Sequence, residues 1–506
     1  MNRQPQPAQK KYFFEKGYKD LKNTIKGAWI RNFESILRCR DRISAAAEKG
    51  AIRTILSFIQ NVFSMFVISV CGTLITVLIS TINIIILLVC ACAVYIVLLL
   101  VWAIDRIYLW KNKIFVACDQ CKERSLIPAY ICPNCGAKHT KLVPGSYGIF
   151  KRTCSGTGGQ VCGEKLPATF FNGRQKLAAE CPACGNPLTT SNSSIGNETR
   201  PICIPVVGGR SVGKTAFITA FSKEFIETVV PSKSWEVEFY NREKAAIYKE
   251  IEQDYQTGST RMTARSNDLN QASAISFSFF LKGRNLKPPR LIHIYDIAGE
   301  VFTDNSENEV QKQYEYCQGI VLILDPFSIP EVRYRYEELL EPEDIAGIGN
   351  ANINSIADTF FNKLREVIGL SDNKLLNIPV AVVINKIDAA GLNQDIGELA
   401  VNKLKKKDPE KYKDFYDVQD YLCRKFLIEN GMGNFVNGIC NKFKNNRFFA
   451  CSAIGHTRDK GSYMPKGIMA PMEWIFRYAD PKIGKVWRNN EFTKVPFAVN
   501  GMPQED

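Results

Sequence analysis

Charged residues are missing from one long part of this 506-residue chain. None occurs between Arg53 and Asp105, and the 43 residues from Val62 to Ile104 are almost wholly apolar. A buried helical hairpin of a soluble protein rarely goes so long without charge, so the absence argues against one. It also argues against a cleaved signal peptide, because the apolar run starts too far along the chain and is too long.

The length of the apolar run points to membrane insertion. One helix needs about 20 residues to cross a hydrocarbon core, so a run of twice that length predicts two spans. We expect them at 62–80 and 84–104, with the turn at Ser80, Thr81 and Asn83. The sequence therefore predicts an α-helical transmembrane hairpin over residues 61–105, and an integral membrane protein of the inner or cell membrane if the source is bacterial.

Basic charge is concentrated beside that run. Residues 1–200 hold 26 lysines and arginines against 11 acidic residues, whereas the rest of the chain holds 39 against 40. Lysine and arginine flank the run on both sides, which predicts that both flanks lie in the cytoplasm. Because an adjacent membrane already accounts for the basic charge, nucleic acid is not an expected partner.

Upstream of the run, apolar residues recur at helical spacing among lysines and arginines. This predicts a basic amphipathic juxtamembrane region over residues 1–60, and two alternatives stay open for it. The helix lies on an anionic lipid surface, or it packs on the protein's own domain. The recurring residues are Phe14, Tyr18, Leu21, Ile25, Trp29, Phe33 and Leu37.

Eight of the 17 cysteines fall between residues 118 and 184. Thiolates two residues apart let one turn present two sulfurs to a tetrahedral metal, so we expect two Zn²⁺ sites in consecutive zinc ribbons, 106–145 and 146–190. Disulfides are the competing reading, and a reducing cytoplasm disfavours them. Neither quartet has a nearby His–Glu pair that would suggest catalysis. The expected ligand sets are Cys118, Cys121, Cys132 and Cys135 for the first site, and Cys154, Cys162, Cys181 and Cys184 for the second.

A phosphate-binding pattern follows the polar linker 191–200. The stretch "PICIPVVGGRSVGKTAFITAF" reads as strand, loop and helix, which is the setting that G-x-x-x-x-G-K-[ST] requires. Backbone N–H groups of the loop face phosphates, Lys214 neutralises their oxygens, and the Thr215 hydroxyl is a Mg²⁺ ligand. The candidate phosphate-binding residues are Gly208, Gly209, Arg210, Ser211, Val212, Gly213, Lys214, Thr215 and Ala216.

A second motif, D-x-x-G, ends the apolar run "RLIHIYDIAGE". Asp296 is a candidate for the Mg²⁺ shell, and the Gly299 amide is a candidate contact for a γ-phosphate. A loop tethered in this way tightens with a triphosphate and relaxes after hydrolysis. With Glu300 and Lys214, these residues form the candidate catalytic set.

Two further motifs indicate which base is bound. "AVVINKID" supplies N-K-x-D, with Asn385, Lys386 and Asp388. A carboxylate accepts from two donors at once, and guanine offers N1–H and N2–H₂ on one edge where adenine offers no such pair. The Lys386 stem covers the base face, and in "RFFACSAIG" a backbone amide at Ser452–Ala453 meets guanine O6.

The four motifs, in this order and each at the end of a strand, resemble the Ras-like, translation-factor-related superclass of P-loop GTPases. The resemblance covers residues 201–480 and leaves 481–506 as a C-terminal tail. It implies an α/β fold with a mainly parallel sheet flanked by helices, GTP and Mg²⁺ binding, and GTP hydrolysis coupled to switching. More loosely, the hairpin, cysteine knuckles and GTPase motifs together resemble bacterial membrane-tethered GTPases of conflict and defence systems.

Departures from that family pattern leave several points open. Glu300 stands where many members have a glutamine that orients water, so a GTP-binding membrane scaffold with little turnover is one alternative function. A zinc-ribbon nucleic-acid-binding protein at the membrane is the other. Thr260 and Thr263 are both candidates for the switch threonine, and Arg261 and Arg265 for arginine fingers in cis. Segments 325–370 and 392–435 read as helical insertions, which are candidate surfaces for an unidentified protein effector or for self-association.

Overall fold

The computed structural model describes residues 6–48, 52–118, 121, 123–157, 162–188, 198–240, 242–259, 276–296, 316–342, 345, 347–349, 353, 360–362, 364–365, 375–456 and 461–492. The chain divides into two compact units. We call residues 1–111 with 129–179 the helical unit, and residues 112–128 with 180–506 the sheet unit. This division differs from the expected one, because residues 112–128 of the cysteine-rich region belong with the sheet unit.

The apolar run forms one continuous helical stretch of the helical unit. Helix α1 spans Lys16–Ala47, α2 spans Ile52–Val67, and a π-helical turn at Ile68–Gly72 leads directly into α3, Thr73–Lys111. The stretch Ile55–Lys111 is long and apolar enough to cross a membrane, judged by length and composition alone. Only 6% of its most apolar window is buried by the rest of the described chain.

The turn expected at Ser80, Thr81 and Asn83 is not found, because all three lie inside α3. Each side chain bonds to a carbonyl oxygen one helical turn earlier. Ser80 Oγ donates to Thr76 at 2.6 Å, and Asn83 Nδ2 donates to Ile79 at 2.9 Å. Short polar side chains satisfied in this way do not interrupt a helix. The two-span hairpin with its turn at these residues is therefore corrected to a single helix in this structure.

The amphipathic segment is helical, as its spacing predicts, and packs on the chain's own apolar helix. Asn32 Nδ2 donates to Thr73 Oγ1 at 3.3 Å. The rings of Phe14 and Tyr95 meet edge to face, with centroids 5.2 Å apart. The two alternatives for this segment were a lipid surface and the protein's own domain. In the structure the segment packs on a helix of the same chain, although the Phe33 side chain stays 61% exposed.

The end of α3 is fixed to the cysteine-rich part of the helical unit. Arg174 and Asp105 form an ion pair at 3.1 Å, with side chains 0% and 1% exposed. Asp105 also accepts from the backbone N–H of Phe170 at 2.8 Å. The cysteine-rich region forms seven short strands among its described residues. Strand β1 (Val116–Ala117) pairs antiparallel with β2 (Arg124–Ser125), β3 (Ala129–Ile131) with β4 (Lys138–His139), and β5 (Lys151–Thr153) with β6 (Lys165–Pro167), and β7 is Ala179–Glu180.

A mainly parallel sheet is the centre of the sheet unit. The strands of the sheet are β8 (Arg200–Gly208), β9 (Glu236–Phe239), β10 (Ser276–Lys282), β11 (Arg290–Asp296), β12 (Ile320–Leu324), β13 (Val380–Ile384) and β14 (Asn446–Ala450). In the described part of the chain their order is β14-β13-β12-β8-β11-β10-β9, and β8, β11, β12, β13 and β14 run parallel. Strands β8, β11, β12 and β13 are entirely buried, as expected for apolar strands with both faces covered by helices.

Helices cover the sheet, and the inserted segment 392–435 is helical as predicted. The core extends past the expected domain end, because Ile483 and Trp487 are 0% and 1% exposed and pack in the core beside the sheet. Residues 481–487 are therefore part of the domain and not of a tail. The helices are α4 (Lys214–Glu224), α5 (Val230–Ser232), α6 (Arg242–Thr257), α7 (Pro330–Tyr336), α8 (Glu398–Lys407), α9 (Phe415–Glu429), α10 (Gly433–Lys442), α11 (Met469–Ala479) and α12 (Pro481–Val486).

Candidate nucleotide site and cysteine clusters

The predicted nucleotide motifs meet at one edge of the sheet. Gly208 is the last residue of β8, Asp296 is the last residue of β11, Asn385 follows β13, and Cys451 and Ser452 follow β14. These strands run parallel, so their carboxyl ends share an edge. Ligands of open parallel sheets bind at this edge.

The glycine-rich loop has the backbone shape that a phosphate loop needs. Gly213 has a φ of +91°, and a Cβ there would lie 2.4 Å from Asn385 Nδ2, so no larger residue fits. Lys214 begins α4 and is only 6% exposed. Its Nζ donates to the carbonyl oxygens of Gly208 at 3.1 Å and Gly209 at 2.7 Å. The loop therefore curls around the lysine that would neutralise phosphate oxygens.

Thr215 and Asp296, the two candidate Mg²⁺ ligands, lie next to each other in the structure. The Thr215 hydroxyl donates to Asp296 Oδ2 at 2.7 Å, and the carboxylate is 2% exposed. Hydroxyl and carboxylate oxygens are hard donors that suit Mg²⁺, which is bound through few protein ligands plus substrate phosphates. The two residues come from different elements and fit a shared divalent ion beside the phosphate loop.

Asn385 connects three of the motifs through one buried side chain. Its Nδ2 donates to the carbonyl oxygen of Val212 in the phosphate loop at 3.0 Å. Its Oδ1 accepts from the backbone N–H of Ala453 at 3.0 Å. The amide therefore holds the phosphate loop and the loop after β14 in a fixed relation.

Asp388 lies against the loop after β14. Ser452 Oγ donates to Asp388 Oδ1, and Ser452 Oγ accepts from the N–H of Gly455 at 2.8 Å. Because Ser452 engages one carboxylate oxygen, the carboxylate has a fixed orientation.

Several predicted site residues lie outside the described residues. These are Gly299 and Glu300 after β11, the threonines Thr260 and Thr263, and the arginines Arg261 and Arg265. Their roles stay predictions.

The structure adds Asp325, which the sequence reasoning missed. It follows β12 directly, is fully buried, and forms an ion pair with Lys386 Nζ at 2.6 Å. A signal for it was present, because an acidic residue stands at the end of the apolar run "GIVLIL" just as Asp296 ends another.

The eight cysteines form two clusters, but in a different grouping from the expected one. The Sγ atoms within each cluster all lie within 4.8 Å of one another. The first cysteine pair, at 118 and 121, lies beside the last pair, at 181 and 184. The four cysteines that come between these pairs in the sequence form the inner cluster. The consecutive two-ribbon grouping is therefore corrected. The outer cluster is Cys118, Cys121, Cys181 and Cys184, and the inner cluster is Cys132, Cys135, Cys154 and Cys162.

Both clusters have the dimensions of four-sulfur zinc sites. Zinc–sulfur bonds of about 2.3 Å in a tetrahedron separate the sulfurs by about 3.8 Å. The distance from Cys118 Sγ to Cys184 Sγ is 3.6 Å, and from Cys132 Sγ to Cys162 Sγ it is 3.7 Å. These separations are far longer than a disulfide bond, which is about 2 Å. The sulfurs therefore fit Zn²⁺ better than oxidised pairs.

Backbone geometry also suits metal ligation. Gly136 and Gly185, which follow the second cysteine of their knuckles, have φ values of +68° and +75° and let the chain turn sharply. In the inner cluster, the backbone N–H of Glu164 donates to Cys162 and lowers the pKa of that thiol to about 7. A lowered thiol pKa favours the thiolate, which is the ligand form.

The outer cluster is built onto the sheet unit. Phe115, three residues before Cys118, is 5% exposed and packs edge to face on Tyr316 with ring centroids 5.7 Å apart. The Arg124 guanidinium lies 4.2 Å from the centroid of the same Phe115 ring. This segment therefore shares the hydrophobic core beside β12 and is not a separate ribbon.

Comparison with known proteins supports the GTPase assignment. Residues 202–419 match the family model Double-GTPase 2. The matched segment begins in β8 and includes the phosphate loop, D-x-x-G and N-K-x-D motifs. No curated protein sequence matches the chain.

Solved structures with some likeness are GTPases or GTPase-like domains. A bacterial selenocysteine-specific elongation factor EF-Sec is 12% identical, with a TM-score of 0.21, over 55% of this chain and 29% of its own. Roco2 RocCORdC of Methanosarcina barkeri bound to GDP is 12% identical, with a TM-score of 0.20, over 55% and 50%. The Ski7 GTPase-like domain of S. cerevisiae bound to GTP is 12% identical, with a TM-score of 0.27, over 58% and 51%.

The chain thus spans only about a third to a half of those proteins' lengths. At these scores the structural likenesses carry no argument of their own. Taken with the site geometry, the family match supports a P-loop GTPase domain with an α/β fold.

Proposed function

We propose that this protein is a membrane-anchored GTPase that binds GTP with Mg²⁺ and hydrolyses it to GDP and phosphate, acting as a nucleotide-dependent switch. The observation that carries the proposal is the Asn385 side chain, which links the phosphate loop at Val212 to the base-reading loop at Ala453. The family match over residues 202–419 supports the same activity.

In the proposed reaction, a water oxygen forms a bond to the γ-phosphorus, and the bond from that phosphorus to the β–γ bridging oxygen breaks. The electron pair of the broken bond stays on GDP, one water proton stays on the released phosphate, and the other passes to solvent. Lys214, the first residue of α4, neutralises phosphate charge from within the loop. Thr215 and Asp296 would hold Mg²⁺, which would supply further neutralisation of the phosphates. Gly299 contacts the γ-phosphate and Glu300 orients the attacking water.

Guanine selection is proposed for the residues after β13 and β14. The Asp388 carboxylate, oriented by Ser452, accepts from guanine N1–H and N2–H₂. The Ala453 backbone at the loop fixed by Asn385 meets O6.

Membrane anchoring is proposed from the apolar helix. Only 6% of the most apolar window of Ile55–Lys111 is buried by the described chain, so a hydrocarbon environment would cover surface that this chain leaves exposed. The cysteine clusters are proposed as two structural zinc sites in a reducing cytoplasm, consistent with eight free thiols at zinc spacing.

A hydrolysis assay tests the activity. Purified full-length protein in detergent should release phosphate from GTP with Mg²⁺, and Lys214→Ala should abolish binding or turnover. Lys406→Ala, an exposed lysine on α8, is the matched control and should behave as wild type. Single-turnover measurements separate the alternatives, since tight GTP binding without phosphate release would favour a scaffold. Absence of GTP binding by wild type would remove the proposal.

Washing membranes with alkaline carbonate tests whether the protein is anchored in them. The full chain should remain in the membrane pellet after alkaline carbonate washing, because the apolar helix partitions into hydrocarbon. Deleting residues 54–104 should release the chain while leaving GTP binding intact. Release of the full-length chain by carbonate would contradict membrane insertion.

A further inference from the structure

Lys386, the lysine of N-K-x-D, has an unusual backbone and a fixed side chain. Its φ is +60°, in the left-handed region that residues other than glycine rarely adopt. Its Nζ donates to Asp325 Oδ2 at 2.6 Å and to the carbonyl oxygen of Gly347 at 3.2 Å. Strained backbone at a binding site persists only when its surroundings hold it.

Asp325 is itself held rigidly. It is fully buried at the carboxyl end of β12, and its Oδ1 accepts from the backbone N–H of Phe327 at 3.0 Å. That contact caps the short helix Pro326–Ser328. One carboxylate oxygen therefore fixes the orientation of the group, and the other is left to engage the ammonium of Lys386.

The two charged side chains of this ion pair, Lys386 and Asp325, differ in their exposure to solvent. The Lys386 side chain is 27% exposed, whereas that of Asp325 is 0% exposed. A lysine side chain reaching solvent would otherwise be free to sample many rotamers, while a buried carboxylate is strongly unfavourable without a partner. The pair therefore restrains the lysine stem beside the site where the base is proposed to lie.

We infer that Asp325 is a positioning residue of the nucleotide site, which sets the Lys386 stem so that it covers the face of the bound guanine. The inference rests on the proposed function and deepens it. The Gly347 carbonyl is the second acceptor that fixes the ammonium.

Asp325→Asn is the sharpest variant, because the amide oxygen still caps Phe327 while the negative charge is lost. The KM for GTP should rise about tenfold, since a charge-assisted contact that orders the base-covering side chain is gone. The kcat should stay within about twofold, because the phosphate groups are untouched. Asp408→Asn is the matched control, since Asp408 Oδ1 likewise caps a turn by accepting from the Lys411 N–H at 3.0 Å.

A double-variant cycle separates positioning from a general structural effect. If Asp325 acts through Lys386, Asp325→Asn should cause no further loss of GTP affinity in a Lys386→Met background. Additive losses would overturn the inference, as would an unchanged KM in Asp325→Asn. A wild type that binds no guanine nucleotide would instead remove the proposed function, so the two failures are distinguishable.

Labelling of the wild type decides the question if Asp325→Asn does not fold. Lys386 in the nucleotide-free full chain should react with an amine-acylating reagent at least about tenfold more slowly than exposed Lys406, because its ammonium is held by a buried carboxylate. Peptide mass spectrometry measures both rates. Equal rates would mean that the pair does not persist in solution and would overturn the inference.

Discussion

Asn385 Nδ2 lies 3.0 Å from the carbonyl oxygen of Val212, a contact that joins the N-K-x-D motif after β13 to the glycine-rich loop after β8. The same side chain accepts from Ala453 N–H through its Oδ1. One amide therefore uses its donor and its acceptor to connect loops that are far apart in sequence. The two contacts together need a side chain that carries both an N–H donor and an oxygen acceptor, as an amide does.

Asn385→Asp is expected to weaken nucleotide binding. The carboxylate cannot donate to Val212, so a buried carbonyl loses its partner and faces a negative charge, at a cost of about 2 kcal/mol. The Kd for GDP should rise tenfold or more. Equilibrium binding with fluorescent GDP measures it. Asn402→Asp, on the exposed face of α8, is the control, and equal affinities for both variants would refute the bridging role.

Zinc content should follow the nested grouping of the cysteines. The wild type should carry two zinc ions per chain, one for each cluster. Cys118→Ser with Cys181→Ser removes two ligands of one cluster, so one zinc should remain. Cys118→Ser with Cys132→Ser removes one ligand from each cluster, so both ions should be lost or greatly weakened.

Metal analysis of the purified variants distinguishes the two groupings. If clusters formed from consecutive knuckles, the outcomes of the two double variants would be exchanged. If the wild type contained no zinc and its thiols were oxidised, the cysteines would form disulfides, and both groupings of zinc ligands would be wrong.

Arg174→Met should strongly destabilise the helical unit. The substitution leaves Asp105 as an uncompensated buried charge, which costs about 3–5 kcal/mol. Adding Asp105→Asn should recover much of the loss, because no unpaired charge then remains. Thermal unfolding of the full chain in detergent measures both. Arg40→Met breaks the exposed Arg40–Asp41 pair and serves as the control, with little expected change. Equal losses for the single and double variants would contradict this account.

Glu224 predicts how stability depends on pH. Burial raises the pKa of this carboxyl from 4.5 to about 7. The folded state therefore holds the proton more tightly than the unfolded state, and the free energy of unfolding should fall as pH rises from about 4.5 through about 7. Glu224→Gln should melt at a higher temperature than wild type at pH 8 and flatten this part of the profile. Glu410→Gln, on the surface, should leave the pH profile of stability unchanged. If Glu224→Gln loses as much stability as wild type over the same pH range, another group causes the loss and the prediction is wrong.

The sequence was informative where chemistry is local. Glycines, lysine and threonine at fixed spacing after an apolar strand predict a phosphate loop, and the loop between β8 and α4 has that form. The cysteine knuckles are likewise local, since each pair lies on one turn. Which knuckle joins which depends on the path of the chain between them, and spacing carries no information about that path.

Other features depend on contacts between residues that only the folded chain brings together. Ser80 and Asn83 suggested a turn, yet carbonyl oxygens of the same helix satisfy both side chains. Asp325 gained its role only when β12 lay beside β13 and brought it to Lys386. Residues 112–128 belong to the sheet unit because Phe115 packs on Tyr316, which is some 200 residues further along the chain.

Guanine selection by Asp388 is the central claim, and one substitution tests it directly. Asp388→Asn puts an NH₂ donor where an acceptor is needed, so affinity for GTP should fall about a hundredfold, or about 3 kcal/mol. Xanthine carries a carbonyl at position 2 that the new amide can meet, so the variant should prefer xanthosine triphosphate. The measurement is competition binding of GTP, ATP and xanthosine triphosphate to the full-length wild type and variant. We expect wild type to select GTP and Asp388→Asn to select xanthosine triphosphate. A wild type that favours ATP, or a variant that keeps its preference for GTP, would contradict the account.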